Sequence, residues 1–208
     1  MKRWVALAGG VVLVTVAVVA VVLASRGDES APVAVPKSPP KQATPKPGTP
    51  VAVRTVMATC ATRSMAPFGP AYTDPGNLVV GPLAMVGAAD FTTPSTVRRV
   101  HGNKFPLLVR AGHTVRVEVA PSARTFAALG YGPLPQGLIT LDVAHPSVTF
   151  VACPRGMSSG STAGGSVTFW SGGLVANEPH CVPLDVLVDG ATTPKRVFVE
   201  LGARCGTT

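Results

Sequence analysis

Six consecutive residues, Thr114-Val115-Arg116-Val117-Glu118-Val119, place valine at every second position and a polar side chain between. Only an extended strand sends alternate side chains to opposite faces, so the run predicts a strand with one face in a core and one in water. The same period returns at 182–188, where Val182, Leu184, Val186 and Val188 oppose Pro183 and Asp185. It returns again at 196–201, where Arg196 and Glu200 oppose Val197, Val199 and Leu201. One-faced strands of this kind belong to antiparallel sheets. The chain also carries 22 glycines and 21 prolines, which supply turns and oppose long helices.

Further strands are expected at 78–86, 105–110, 138–143, 148–153 and 166–170, each bounded by Gly, Pro, Asn or Asp. Ala111-Gly112 reads as a tight hairpin between two of the runs, and Asp189-Gly190 opens another turn. Only 122–130 has the composition of a short helix, and Gly130 ends it. Eight or so strands in the last three-quarters of the chain predict an all-β domain, an antiparallel β-sandwich of immunoglobulin-like type, with a small barrel as the alternative. Charged residues are only 13% of the chain, which excludes a coiled coil, a helical bundle and a charged disordered protein.

Two segments precede that domain. Residues 4–25 are apolar and uncharged, and a helix of that length is about 30 Å long, the thickness of a hydrocarbon core. Lys2 and Arg3 stand before it, Asp28 and Glu29 after Arg26. The positive-inside rule then keeps residues 1–3 in the cytoplasm and exports the rest. We read the stretch as a retained transmembrane signal anchor; cleavage after Ala24, giving a secreted protein, is the alternative. Residues 26–50 form a linker in which 31–50 hold seven prolines, three lysines and no acid. Proline fixes φ and removes backbone donors, so the segment predicts a polyproline spacer reaching roughly 60 Å.

Half of the net charge of +8 precedes the domain. From Val51 onward twelve basic residues face eight acidic ones, and only Arg98-Arg99 and Lys195-Arg196 are adjacent. A nucleic-acid binder carries a dense basic face, so no nucleic-acid partner is expected. The partners expected are the membrane, through the N-terminal helix, and a cell-surface protein or wall polymer.

Four cysteines, Cys60, Cys153, Cys181 and Cys205, all lie in the exported part. An even number in an oxidising compartment predicts disulfides, for which three pairings exist. Cys205 has the parity of Val197, Val199 and Leu201, whereas Cys181 has that of Pro183 and Asp185, so the two would point to opposite faces unless a bulge at Gly202 intervenes. Parity therefore favours Cys153–Cys181 with Cys60–Cys205. Metal delivery is a rival, raised by His180 beside Cys181 and by five methionines. However, no CxxC, HxxxH or methionine cluster accompanies them, and no metal or cofactor is expected.

Gly156-Met157-Ser158-Ser159-Gly160 matches GxSxG, in which a strand turning sharply into a helix presents the serine. Here a glycine-rich loop follows, and no histidine follows Asp185 or Asp189. Asp142, Asp185, Asp189 and Glu200 have no spacing that forces a carboxylate pair together, so no catalytic residue is assigned. An envelope serine hydrolase using Ser158 is the rival reading. A binding surface is expected instead from Trp170, in Phe169-Trp170-Ser171-Gly172-Gly173-Leu174, and from Phe68 and Tyr72, in the apolar loop 65–72. A buried anchor is the other reading of Trp170.

Several C-terminal runs occur in order: Phe150-Val151-Ala152-Cys153-Pro154, Phe169-Trp170-Ser171-Gly172-Gly173-Leu174, His180-Cys181-Val182-Pro183-Leu184-Asp185-Val186 and Leu201-Gly202-Ala203-Arg204-Cys205. With Gly81-Pro82-Leu83-Ala84 and Val109-Arg110-Ala111-Gly112 upstream, they resemble a family of actinobacterial exported or membrane-anchored proteins with a four-cysteine β-domain. The resemblance spans most of residues 75–205 and implies a bacterial cell-surface setting and a disulfide framework. It implies no activity. The function expected is a membrane-tethered, non-enzymatic extracytoplasmic domain that binds a protein, glycan or small ligand.

Overall fold

The computed structural model describes residues 55–135, 137–157, 160–162 and 165–206. The apolar stretch 4–25, the linker 26–50, and Ser158 and Ser159 of the GxSxG run lie outside the described residues. Among the described residues no helix is long and apolar enough to cross a membrane.

The elements in order are β1 (Thr55–Ala58), a 3-10 turn (Cys60–Thr62), β2 (Leu78–Val80), β3 (Leu83–Met85), α1 (Pro94–Val100), β4 (Gly102–Lys104), β5 (Leu107–Arg110), β6 (Thr114–Val119), a second 3-10 turn (Pro121–Ala123), β7 (Ala127–Gly130), β8 (Ser147–Val151), β9 (Gly160–Thr162), β10 (Gly165–Trp170), β11 (Gly173–Ala176), β12 (His180–Val188) and β13 (Lys195–Leu201). They form two five-stranded sheets, β1-β8-β6-β12-β13 and β2-β3-β5-β10-β9, and a three-stranded sheet, β4-β11-β7. The pairings are antiparallel except β1 with β8, which run parallel with Ala58 opposite Phe150. The domain is thus mostly β with one α-helix.

The period-two valines behave as their spacing requires. Val115, Val117 and Val119 of β6 are fully buried beside Val182, Leu184 and Val186 of β12. They meet Leu107 and Val109 of β5, Met85 of β3 and Leu174 of β11, so all three sheets contribute to one core cluster. A smaller cluster, built on Ala84, Leu108, Val167 and Phe169, takes the opposite parity of β3, β5 and β10. The loop 65–72 covers it, with Ala66, Phe68 and Tyr72 packed against it.

Several sequence expectations need correction. The run 78–86 is not one strand: Gly81 at φ +55° folds it into the β2–β3 hairpin. Ala111-Gly112 is not a hairpin, because β5 pairs with β3 and β10 while β6 pairs with β12 and β8. The turn carries the chain between sheets, with the Gly112 N–H donating to the Cys153 carbonyl at 3.1 Å. The region 138–143 is a loop: Thr140 Oγ1 donates to Asp142 Oδ1, and the Val143 N–H closes a turn onto the Thr140 carbonyl. Such local side-chain bonds compete with strand pairing. Within 122–130 there is a 3-10 turn and then strand β7, not a helix, because Ala127–Gly130 pairs along its whole length with β11.

The α-helix falls at 94–100 instead. Thr93 accepts the Thr96 N–H through its hydroxyl, Pro94 occupies the first turn, and His101 ends the helix in a left-handed conformation. A hydroxylated N-cap followed by proline is a helix-start signal, and Thr93-Pro94 supplies both.

The disulfides are Cys60–Cys153 and Cys181–Cys205, not the pairing that parity favoured. Because β1 and β8 are parallel neighbours, their chains leave the sheet at the same end, where Cys60 and Cys153 meet with Cα atoms 4.8 Å apart. Parity fails for Cys205 because β13 stops at Leu201 and Gly202, at φ +83°, redirects the chain. The Cys205 N–H then donates to Glu200 Oε1 at 3.1 Å, and Glu200 lies directly opposite Cys181 in the β12–β13 register.

Candidate functional site

Of the three aromatic residues expected to form a binding surface, Trp170 lies in the main core, apart from Phe68 and Tyr72, which pack together over the second cluster. Trp170 is 2% exposed in the main core, with its ring centroid 5.3 Å from that of Phe150 and its Nε1–H donating to the Thr59 carbonyl at 3.2 Å. Its neighbour Phe169 points to the other face of β10, where it meets Phe68 edge-on at 4.6 Å. Tyr72 donates its hydroxyl to the Pro82 carbonyl at 2.8 Å, and the Arg110 guanidinium lies 4.1 Å above its ring. Burial raises the Tyr72 phenol far above its ordinary range, with Arg110 opposing the shift. Phe68 and Tyr72 are therefore half-buried packing residues over the second cluster.

The residues after Trp170 line a concave surface. A groove of about 710 Å³ lies over the three-stranded sheet. Its floor includes Gly130 at the end of β7, Gly172, and Gly173 and Val175 of β11. A Cβ on Gly173 would fall inside the carbonyl oxygen of Asn103, so β4 approaches β11 at a distance that only glycine permits. One wall carries Arg99 and Val100 from the end of α1, His101, and Lys104 of β4. The helix end aims these side chains together: the His101 backbone turns left-handed at φ 54° and leads directly into β4.

The opposite wall comes from the loop after β7, with Leu134, Pro135, Leu138 and Ile139. Leu138 is 62% exposed and Val100 45%, and both lie on this groove. Charge on the groove is one-sided. No carboxylate lines the groove, and neither Arg99 nor Lys104 makes an ion pair among the described residues. The Asn103 side chain is satisfied elsewhere, donating to Thr92 Oγ1 and accepting the Lys104 N–H, both at 2.9 Å. Pocket volumes of about 300–1,000 Å³ with apolar walls and few polar groups are those that take small ligands.

Two other polar constellations are built differently. On the face of the first sheet opposite its valines, Ser147, Glu118, Asp185 and Arg196 stand side by side across β8, β6, β12 and β13. The register thus joins two carboxylates that sequence spacing could not connect. Asp185 accepts a bidentate pair of hydrogen bonds from Arg196 at 2.8 and 2.7 Å. Glu118 is paired with Arg116 at 3.0 Å and approached by Arg124 at 3.7 Å. Each carboxylate has its own guanidinium, which makes the row an ion-pair ladder rather than an acid–base couple.

The second constellation is exposed. His113 Nδ1 lies 2.8 Å from Asp189 Oδ2, while Asp189 Oδ1 accepts the Thr114 N–H at 2.9 Å. The backbone hydrogen bond from Thr114, then the one with His113, hold the Asp189 carboxyl below its ordinary range. The contacts clamp the turn after β12 to the start of β6. Of the remaining candidates, Asp142 is bonded to Thr140 in the loop 138–143 and Glu200 to the Cys205 backbone. Among the described residues no group of three or more His, Cys, Asp or Glu side chains is placed to hold a metal ion.

Sequence reasoning missed the groove because its residues come from four segments, 96–104, 130–132, 134–139 and 171–175. The available signal was the run Tyr131-Gly132-Pro133-Leu134-Pro135 next to a misassigned strand, together with the Gly172-Gly173 pair. Comparison of the chain with protein-family models, with curated proteins and with solved structures gave no match.

Proposed function

We propose that the β-domain is a non-enzymatic binding module, tethered to the membrane by residues 4–25 and presented outside the cytoplasm at a bacterial cell surface. The observation that carries this reading is the groove, which is concave, apolar on one side and lined by unpaired cations on the other. Binding sites are where a protein leaves large apolar side chains exposed beside charges it has not paired.

Export is supported by the two disulfides, which persist in oxidising compartments. It is supported also by the lysine and arginine that precede the apolar stretch. An immunoglobulin-like β-sandwich is part of the same proposal, supported by a core shared between the two five-stranded sheets and by Trp170 buried within it. The actinobacterial setting rests on the resemblance of the C-terminal runs.

Cross-linking of intact cells expressing the full-length protein tests the reading, with a chain ending at residue 50 as control. A protein, glycan or lipid should be recovered with the full-length protein only, and should be lost from an Arg99→Glu/Lys104→Glu variant. Identical recoveries from the full chain and the control would overturn it.

A further inference from the structure

The proposal of a binding module leaves the ligand open, and the groove is specific enough to narrow it. We infer that the groove takes a single-chain organic anion: an apolar body against Leu134, Leu138 and Ile139, and a carboxylate or phosphate head against Arg99 and Lys104. This inference rests on the reading of the domain as a binding module.

Three features of the groove select this chemistry over others. The first is its charge. Arg99 and Lys104 are exposed cations on one wall, with the His101 ring beside them, and among the described residues no acidic one lines any wall. An anion approaching there meets no repulsion, whereas a cationic head would meet like charge.

The second is the opposing wall. Its leucines, isoleucine and proline offer no hydrogen bond from their side chains, so a fully polar anion such as a free sugar acid would leave that wall wet and gain nothing from it. The third is the floor. Gly130, Gly172, Gly173 and Val175 bring no charged side chain to it, so an alkyl chain lying there buries no charge. The split into a charged side and an apolar side matches a molecule with one charged end. Arginine can grip carboxylate or phosphate through two parallel hydrogen bonds, and lysine adds a point charge, so both heads belong to the same class.

Hydrogen–deuterium exchange of the full-length protein in phosphocholine nanodiscs tests the inference. The probes are decanoate, decyl phosphate, decyltrimethylammonium and butyrate, with empty nanodiscs correcting for partition into lipid. Decanoate or decyl phosphate should slow exchange in segments 130–139 and 171–176, and the other two probes should not. Protection by the carboxylate alone would identify a free acid as the ligand type, and protection by the phosphate alone a lipid-like head; either supports the class.

Arg99→Glu/Lys104→Glu should raise the half-saturating concentration about tenfold or more, since two attractive surface pairs become repulsive. Both side chains are exposed, and exchange in β6 and β12 reports whether the variant keeps its core. Equal protection by decyltrimethylammonium would overturn the anionic head, and equal protection by butyrate the apolar body. Protection by none of the probes would overturn the ligand class. The binding-module reading would still stand if cross-linking recovers a domain-dependent partner, and would fall with it if none is found.

Discussion

Phe169 and Trp170 are adjacent in the chain and serve two different clusters, which shows how little an aromatic pair reveals about exposure. Strand alternation decides it: β10 has protein on both faces, so neither ring reaches solvent as a patch. Trp170 loses both its packing and its hydrogen bond to the Thr59 carbonyl when truncated. Trp170→Ala should destabilise the domain by about 3–5 kcal/mol. Phe68→Ala, which removes a half-buried ring from the smaller cluster, should cost about 1–2 kcal/mol. Urea titrations followed by far-ultraviolet circular dichroism compare the two. Equal midpoints would contradict the placement of Trp170 in the main core.

At the scale of elements, legibility followed the number of buried faces. β6, β12 and β13 were legible because each alternates apolar and polar residues, and the structure places them where the period predicts. β7 was not, because Ala127, Ala128, Leu129 and Gly130 are all buried and leave no alternation to read. β4 and β11 are short and each carries one glycine at the close approach, Gly102 and Gly173, which reads as loop in a sequence. The groove lies over these three strands, so the site was hidden with them. Disulfide pairing was illegible for a related reason: it depends on a parallel neighbour and on a turn beyond the end of a strand.

The observed bridges also differ in what they hold. Cys60–Cys153 closes a separation of 93 residues and Cys181–Cys205 one of 24. On the chain-entropy model these are worth about 4.5 and about 3.5 kcal/mol. Replacing Cys60 and Cys153 together by serine should therefore destabilise more than replacing Cys181 and Cys205. Thermal unfolding of the two double variants measures the order, and proteolysis without reductant should release the 60–153 and 181–205 peptides as linked pairs. A recovered 153–181 pair would contradict the bridges.

For the whole molecule, acid is the condition that separates its ties most clearly. Twelve basic residues outnumber eight acidic ones from Val51 onward, and protonating carboxylates widens that excess. Two of those carboxylates hold segments together. Asp189 joins the turn after β12 to β6, and Glu200 joins β13 to the chain at Cys205 and at Arg204. The Thr114 hydrogen bond lowers the Asp189 carboxyl, and the Cys205 backbone lowers that of Glu200.

A carboxyl whose folded pKa lies below its unfolded value contributes stability above the unfolded value, about 4 for these groups, and loses it as pH falls through the folded one. The melting temperature should thus be flat from about pH 7 to about pH 5 and fall below about pH 4. Asp189→Asn cannot ionise, so the variant should melt below the wild type at neutral pH and approach it in acid. Calorimetric scans of both proteins across that range check the sign. A gap that widens on acidification would mean that Asp189 is bound more tightly when protonated, contrary to its two contacts in the fold.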